Sequence, residues 1–164
     1  MQTSDKKRLK KIKLVITDVD GVLTDGGMYY SKDGEFLKKF NTRDAMGMEL
    51  LLDLGIKTIM LTRENSNIVK ARAKKIKVSE LYSGVLNKKA LLKKILKKYN
   101  VKLDQVAYIG DDLNDLEIMK SVGFSVTPSN GIDQIKKISN YVCKLNGGDG
   151  AFRELADIII SSQK

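Results

Sequence analysis

Val15-Ile16-Thr17-Asp18-Val19-Asp20-Gly21-Val22-Leu23-Thr24-Asp25-Gly26 opens on the end of a short apolar run, residues 12–16 around one lysine, and carries two aspartates two positions apart, then a glycine. An apolar run of this length reads as a buried strand, and buried strands do not normally carry carboxylates. Two negative charges placed directly after such a strand therefore call for a chemical reason.

Working outward, the same grammar repeats. Residues 28–31 and 35–40 read as strands of a hairpin turning at Lys32-Asp33-Gly34. A helix is expected over about 45–54, with Met46, Leu50 and Leu54 at helical spacing and Gly55 closing it. Strands at 57–61, 81–82, 106–109, 123–126 and 141–144 alternate with helices at 66–75, 88–99, 113–121, 131–138 and about 151–160. Such alternation implies parallel βαβ units and an α/β fold, a mostly parallel sheet covered by helices on both faces. A chain of 164 residues fits one domain spanning 1–164, with the hairpin at about 27–41 as an insertion.

The bulk numbers narrow the classes. Hydrophobic residues make up 42%, which is not a disordered composition. No apolar segment approaches the ~20 residues of a membrane span. The leading MQTSDKKRLKKIK is basic and lacks the apolar stretch of a secretion signal. One cysteine, Cys143, excludes an intrachain disulfide, and a cytoplasmic location is the simplest expectation. Net charge is +10, but the lysines fall mostly on predicted helix faces and no nucleic-acid-binding signature accompanies them. Neither nucleic acid nor a membrane is expected as a partner. A basic nucleic-acid-binding module and an idle regulatory subunit remain as the other classes to weigh. The chain has no histidine, which removes His-dependent triads, His-ligated zinc and His general bases together.

In open α/β sheets ligands bind at the carboxyl ends of the strands. The polar residues following the apolar runs there are Asp18, Asp20, Thr62, Lys88, Asp111, Asp112 and Asp115. Clustered carboxylates repel, and a hard divalent cation with oxygen ligands, Mg²⁺ above all, removes the conflict. Asp18 and Asp111 can supply ligands. A metal beside a hydroxyl and a lysine suits a phosphate ester, with Asp18 as nucleophile forming an aspartyl-phosphate. Lys88 would neutralise charge, Thr62 would donate to a phosphate oxygen, and Asp20 would serve as general acid and then base.

Asp18-Val19-Asp20-Gly21-Val22-Leu23-Thr24 resembles the nucleophile motif of the haloacid dehalogenase (HAD) superfamily of phosphatases. Thr62, Lys88 and Gly110-Asp111-Asp112-Leu113-Asn114-Asp115 fall where its later motifs should. Thr24-Asp25-Gly26, the hairpin, Phe40-Asn41-Thr42-Arg43-Asp44 and the segment from Gly147 to Glu154 are similar to the 3-deoxy-D-manno-octulosonate (KDO) 8-phosphate phosphatase group, which lacks a cap domain. The resemblance implies a Rossmann-like HAD fold and a Mg²⁺-dependent phosphatase of a 2-keto-3-deoxy sugar acid phosphate. It also implies a homotetramer joined at the hairpins, with a neighbouring subunit helping to close each site, and a metal ligated by the main-chain carbonyl of Asp20 as well as by Asp18 and Asp111.

Within that group Thr62-Arg63-Glu64-Asn65 bears on substrate. Octulosonate enzymes typically have Thr-Gly-Arg here; the branch acting on nine-carbon acids such as deaminoneuraminate (KDN) and sialic-type 9-phosphates has a glutamate aligned with Glu64. Arg72 and Lys75 also match basic positions of that branch, so a nonulosonate 9-phosphate and KDO 8-phosphate both stand as substrates. Arg63 replaces the usual glycine and can supply the cation that Glu64 removed. Arg43 and Asp44 face substrate or cap the following helix. Arg153 either reaches a substrate carboxylate across a subunit boundary or pairs near Glu154. Residues 147–150 either cradle an anion or form a turn. Asp112 is a ligand or a support behind the ligands, and Asp115 orients Lys88. Tyr29, Tyr30, Phe36 and Phe40 are expected to pack the hairpin, and Cys143 to lie in the core.

Overall fold

The computed structural model describes residues 3–76 and 78–163; the expectations touching residues 1, 2 and 164 lie outside the described residues. Six parallel strands form the main sheet: β1 (Leu14–Thr17), β4 (Lys57–Leu61), β5 (Glu80–Tyr82), β6 (Val106–Ile109), β7 (Phe124–Thr127) and β8 (Tyr141–Val142). Their order is β5-β4-β1-β6-β7-β8. The chain builds outward from β1 on one side through β4 and β5, then returns to β6 and builds the other way. The reversal leaves a crevice at the carboxyl ends of β1 and β6, where this architecture places its ligands. Strands β2 (Tyr29–Ser31) and β3 (Gly34–Leu37) form the separate antiparallel hairpin.

Alternation along each central strand assigns its side chains to two cores. Val15, Met60, Ala107 and Ile109 face one layer, which includes Leu51 of α2 (Thr42–Asp53), Val69 of α3 (Asn67–Lys75) and Phe152, Leu155 and Ile159 of α7 (Ala151–Gln163). Leu14, Ile16, Ile59, Leu61, Val106 and Tyr108 face the other, with Leu92 and Ile95 of α4 (Lys88–Tyr99), Ile118 and Met119 of α5 (Leu116–Met119) and Ile135 of α6 (Asp133–Ile138). Both faces are buried, which is why β1 is buried at every position and apolar up to its last residue, Thr17, rather than alternating.

Four local departures from the sequence expectation have physical causes. A first helix, α1 (Thr3–Leu9), precedes β1 inside the basic segment; Leu9 is buried and the Gln163 side chain donates to the carbonyls of Leu9, Lys10 and Ile12. Helix α2 begins earlier than expected because the Asn41 side chain caps it, accepting the Arg43 N–H at 2.9 Å. The helix expected over 113–121 starts as a 3₁₀ turn, Leu113–Asp115, since Asp115 bends back to bind amides before it. Strand β8 stops at Val142 because the Glu154 carboxylate takes the amides of Lys144 and Leu145. Cys143 is buried, as expected.

Candidate active site

Asp18 follows β1 and gives its N–H to the Ile109 carbonyl of β6 at 3.0 Å, so the neighbouring strand fixes the backbone at this point. Its Oδ1 accepts the Val19 N–H at 2.7 Å, and its Oδ2 lies 2.8 Å from Lys88 Nζ. Lys88 opens α4, where the preceding Asn87 caps the helix by accepting the Ala90 N–H. The same Nζ lies 2.7 Å from Asp115 Oδ1, which also accepts the Tyr108 hydroxyl at 2.6 Å. Asp115 Oδ2 accepts the N–H groups of Asp111 and, more weakly, Asp112. Asp115 is fully buried with both oxygens engaged, and it holds Lys88 and the loop after β6 together.

The electrostatics follow from this crowding. Burial raises the Asp18 carboxyl well above its ordinary pKa, Asp115 adds to the rise, and Lys88 opposes it. Burial alone would lower the Lys88 pKa, but the charges of Asp18 and Asp115 outweigh it and hold it above the usual lysine value. Asp111 is pushed up to about 7, by burial first and then by Asp115 and Asp112. Carboxylate oxygens of Asp18, Asp111 and Asp115 lie within 4.8 Å of one another, and the buried Asp111 Oδ1 has no hydrogen-bond partner. An orphaned carboxylate oxygen within a hard-oxygen cluster fits a divalent cation such as Mg²⁺. Asp18 and Asp111 are the side chains that would hold it, because Asp115 is already committed. The Asp20 carboxylate stands outside the cluster, which leaves its main-chain carbonyl as the group the resemblance offers to the metal.

Gly21 explains how Asp111 comes so near. Its φ is +88°, and a Cβ there would collide with Asp111 Oδ2. Gly147 approaches just as closely from the other side, where a Cβ would meet the Gly21 carbonyl, and Gly148 N–H donates to Val22 O at 2.9 Å. Gly147 and Gly148 thus brace the loop after β1.

Thr62 follows β4; its N–H donates to Tyr82 O and its Oγ1 accepts the Glu64 N–H at 3.2 Å. Thr62, Arg63 and Glu64 line one open hollow of about 370 Å³ with Asp18, Asp20, Asp111 and Asp112. The Asp112 carboxylate accepts the Leu113 N–H at 2.7 Å, so it also caps the 3₁₀ turn.

The other expected substrate residues are not brought to this hollow within one chain. Arg72 and Lys75 line a different one; Arg72 donates to the Asn41 carbonyl and stacks on Phe40. Arg43 and Arg153 line a third, and Arg153 Nε pairs with Asp157 at 2.8 Å rather than near Glu154. Asp44 is buried and does cap a helix, but the cap is on α7, through the Arg153 N–H at 2.9 Å, and not on its own helix. Sequence reasoning missed Lys38, which reaches Asp20, and Tyr108, which supports Asp115.

Fold and site together define a hydrolase whose carboxylates and one buried lysine gather at the switch point of the sheet. The haloacid dehalogenase-like hydrolase model matches residues 54–155, and the chain belongs to that family. It is 37% identical to the 3-deoxy-D-manno-octulosonate 8-phosphate phosphatase of Haemophilus influenzae over 157 residues, 96% of this chain and 87% of that protein. The Escherichia coli phosphatase of the same name is 36% identical, over 95% of this chain and 83% of its own length. Among solved structures, the Moraxella catarrhalis 3-deoxy-D-manno-octulosonate 8-phosphate phosphatase, in complex with magnesium, phosphate and KDO, superposes with a TM-score of 0.94. It is 35% identical over 99% of this chain and 94% of that one. The cobalt-bound Haemophilus influenzae phosphatase gives a TM-score of 0.93, covering 95% of this chain and 91% of that one at 37% identity.

Proposed function

We propose that this chain is a Mg²⁺-dependent phosphatase of a 2-keto-3-deoxy sugar acid phosphate, with KDO 8-phosphate as the first substrate to test. The observation that carries it is the contact of Asp18 with Lys88 at the switch point, one loop away from the unpartnered Oδ1 of Asp111. Bound magnesium would neutralise charge between the nucleophile and the phosphoryl group. Asp18 supplies the oxygen that forms the new bond to phosphorus while the ester P–O bond breaks. Asp20 gives its proton to the departing sugar oxygen, then takes one from the water that hydrolyses the aspartyl-phosphate. Lys88 keeps Asp18 in place and offsets its charge, and Thr62 donates to a phosphate oxygen.

A nonulosonate 9-phosphate such as KDN 9-phosphate is a second substrate, favoured by Glu64, which lines the same hollow as Asp18. A homotetramer is supported by the exposure of Met28, Tyr30, Phe36 and Leu37 on and beside the hairpin. In it Arg43, Asp44, Arg72, Lys75 and Arg153 would serve the site of a neighbouring copy or its closure. A cytoplasmic location accords with the lone buried cysteine, and no helix among the described residues is long and apolar enough to cross a membrane.

The test is phosphate release with Mg²⁺ from KDO 8-phosphate, KDN 9-phosphate and N-acetylneuraminate 9-phosphate, with Asp18→Asn as blank. Turnover of one or more, absent in the blank, supports the proposal. Turnover that survives Asp18→Asn overturns the nucleophile assignment, and turnover of none removes the substrate class.

A further inference from the structure

The catalytic loop has a partner that none of the motif positions includes. Strand β3 ends at Leu37, three residues before the sequence pattern would stop it, and Lys38 turns inward instead of continuing the hairpin. Its side chain has no exposed surface, and its Nζ lies 2.6 Å from Asp20 Oδ1 and 2.7 Å from Glu35 Oε1. The first contact is an aligned hydrogen bond; the second is an ion pair. Glu35 is held in turn by the Ser66 hydroxyl at 2.7 Å, immediately before α3 and four residues past Thr62. Thr24 Oγ1 adds a long contact of 3.4 Å to the same Asp20 oxygen.

A buried ammonium is costly unless paired, and this one is paired with two carboxylates. The arrangement also divides the Asp20 carboxylate. Oδ1 is occupied by Lys38 and Thr24, while Oδ2 has no hydrogen-bond partner. A general acid must present one oxygen at a fixed place to the leaving group, and a side chain anchored by its other oxygen does so without a search over rotamers.

We propose that Lys38 is the positioning residue of the proton-transfer carboxylate Asp20, and that Glu35 and Ser66 set Lys38 in place, so that the hairpin forms part of the catalytic apparatus. The inference rests on the phosphatase assignment above and deepens it. When the P–O bond of the ester breaks, the bonding pair leaves on the sugar oxygen and the proton of Asp20 goes to that oxygen. Lys38 touches neither and acts only through Asp20.

Leaving-group dependence tests it. An alkyl phosphate such as KDO 8-phosphate needs a proton on its departing oxygen, whereas p-nitrophenyl phosphate departs as a stable phenolate and does not. The ratio kcat/KM reports events through the first irreversible step, phosphoryl transfer to Asp18, before the water-activating role of Asp20 begins. Lys38→Met is therefore expected to lower kcat/KM for the alkyl ester about 100-fold, the scale of general acid catalysis, while that for the aryl ester stays within about threefold. Lys38→Arg should recover part of the loss. Combined with Asp20→Ala, Lys38→Met should add almost nothing, since the two changes remove one function.

Equal losses on both esters, or a Lys38→Met effect undiminished in the Asp20→Ala background, would overturn the proposal and leave Lys38 as a pin of the hairpin. No loss with either ester would overturn it too. Should Lys38→Met not fold, Ser66→Ala, which loosens Glu35 from a distance, is expected to show the same ester-selective loss at a smaller size, and an unselective effect counts against the proposal. Wild-type protein that cleaves none of the sugar-acid phosphates and no aryl phosphate refutes the phosphatase assignment itself. Wild-type turnover abolished by Asp18→Asn preserves that assignment, and the Lys38 variants then decide the inference alone.

Discussion

Lys88 and Asp115 meet at 2.7 Å with neither side chain more than marginally exposed, and through this contact the loop after β6 is tied to the start of α4. Lys88 also touches Asp18, so one ammonium compensates two buried carboxylates. Removing it leaves both uncompensated. Lys88→Met is expected to destabilise the fold by about 3–5 kcal/mol, as breaking buried ion pairs does, and to lower kcat at least about 100-fold. Chemical denaturation and steady-state phosphate release measure the two effects. A variant that keeps full activity would remove Lys88 from the chemistry.

Asp111 reaches the site only because Gly21 has no side chain. Gly21→Ala must place a Cβ where Asp111 Oδ2 now lies and hold an L-residue at φ +88°. The backbone term costs roughly 1–2 kcal/mol, but the larger consequence falls on Asp111, which has to swing away. Weakened Mg²⁺ binding, by about tenfold or more in a titration followed by calorimetry, is expected together with lower activity. Unchanged metal affinity would show that Asp111 is not a ligand.

Metal removal offers a direct check on the carboxylate cluster. Chelation should abolish turnover and Mg²⁺ should restore it. Because ligand binding to the folded state raises stability by RT ln(1 + [L]/Kd), saturating Mg²⁺ at about 100 times Kd should add about 2.7 kcal/mol and raise Tm by several degrees. Asp111→Asn should remove most of that rise. An undiminished Mg²⁺ shift in Asp111→Asn would place the ion elsewhere.

The parts of this molecule that were legible in the sequence are those in which a local pattern and a chemical oddity coincide. Asp18 and Asp111 stand out because each ends an apolar run that would otherwise be buried strand, and the parallel topology then places both runs side by side. Lys38 had no such mark. It is one of 30 basic residues, and the alternation of the hairpin runs through it without a break. Only the tertiary fold shows that this lysine passes beneath the hairpin while Lys39 stays at the surface. The role of Asp44 was hidden for a related reason: its hydrogen-bond partner lies 109 residues away, so the capping alternative pointed to the helix that follows in sequence rather than to α7. Arg72 and Lys75 carry a further lesson. Helical spacing puts both on α3, but Arg72 is held by the Asn41 carbonyl and the Phe40 ring, contacts that spacing along one helix does not reveal.

Asp44 also gives the fold a dependence on pH. Burial lifts its carboxyl from 3.8 to about 6, against the opposing pull of the Arg153 and Phe152 amides and the Arg72 charge, with Asp149 adding slightly to the rise. Its Oδ2 has no hydrogen-bond partner. A folded-state pKa above the unfolded one means that the folded chain binds the proton more tightly. The associated stability is fully present below pH about 4 and is lost as pH rises through about 6. The shift corresponds to about 3 kcal/mol between those limits. Asp44→Asn retains an oxygen to accept the Arg153 N–H but cannot ionise. In metal-free buffer the variant should therefore gain on the wild type as pH rises from 4 to 6.5, by up to about 3 kcal/mol or several degrees in Tm. A difference between the two proteins that stays constant across this range would show that Asp44 ionises as easily in the folded chain as in the unfolded one.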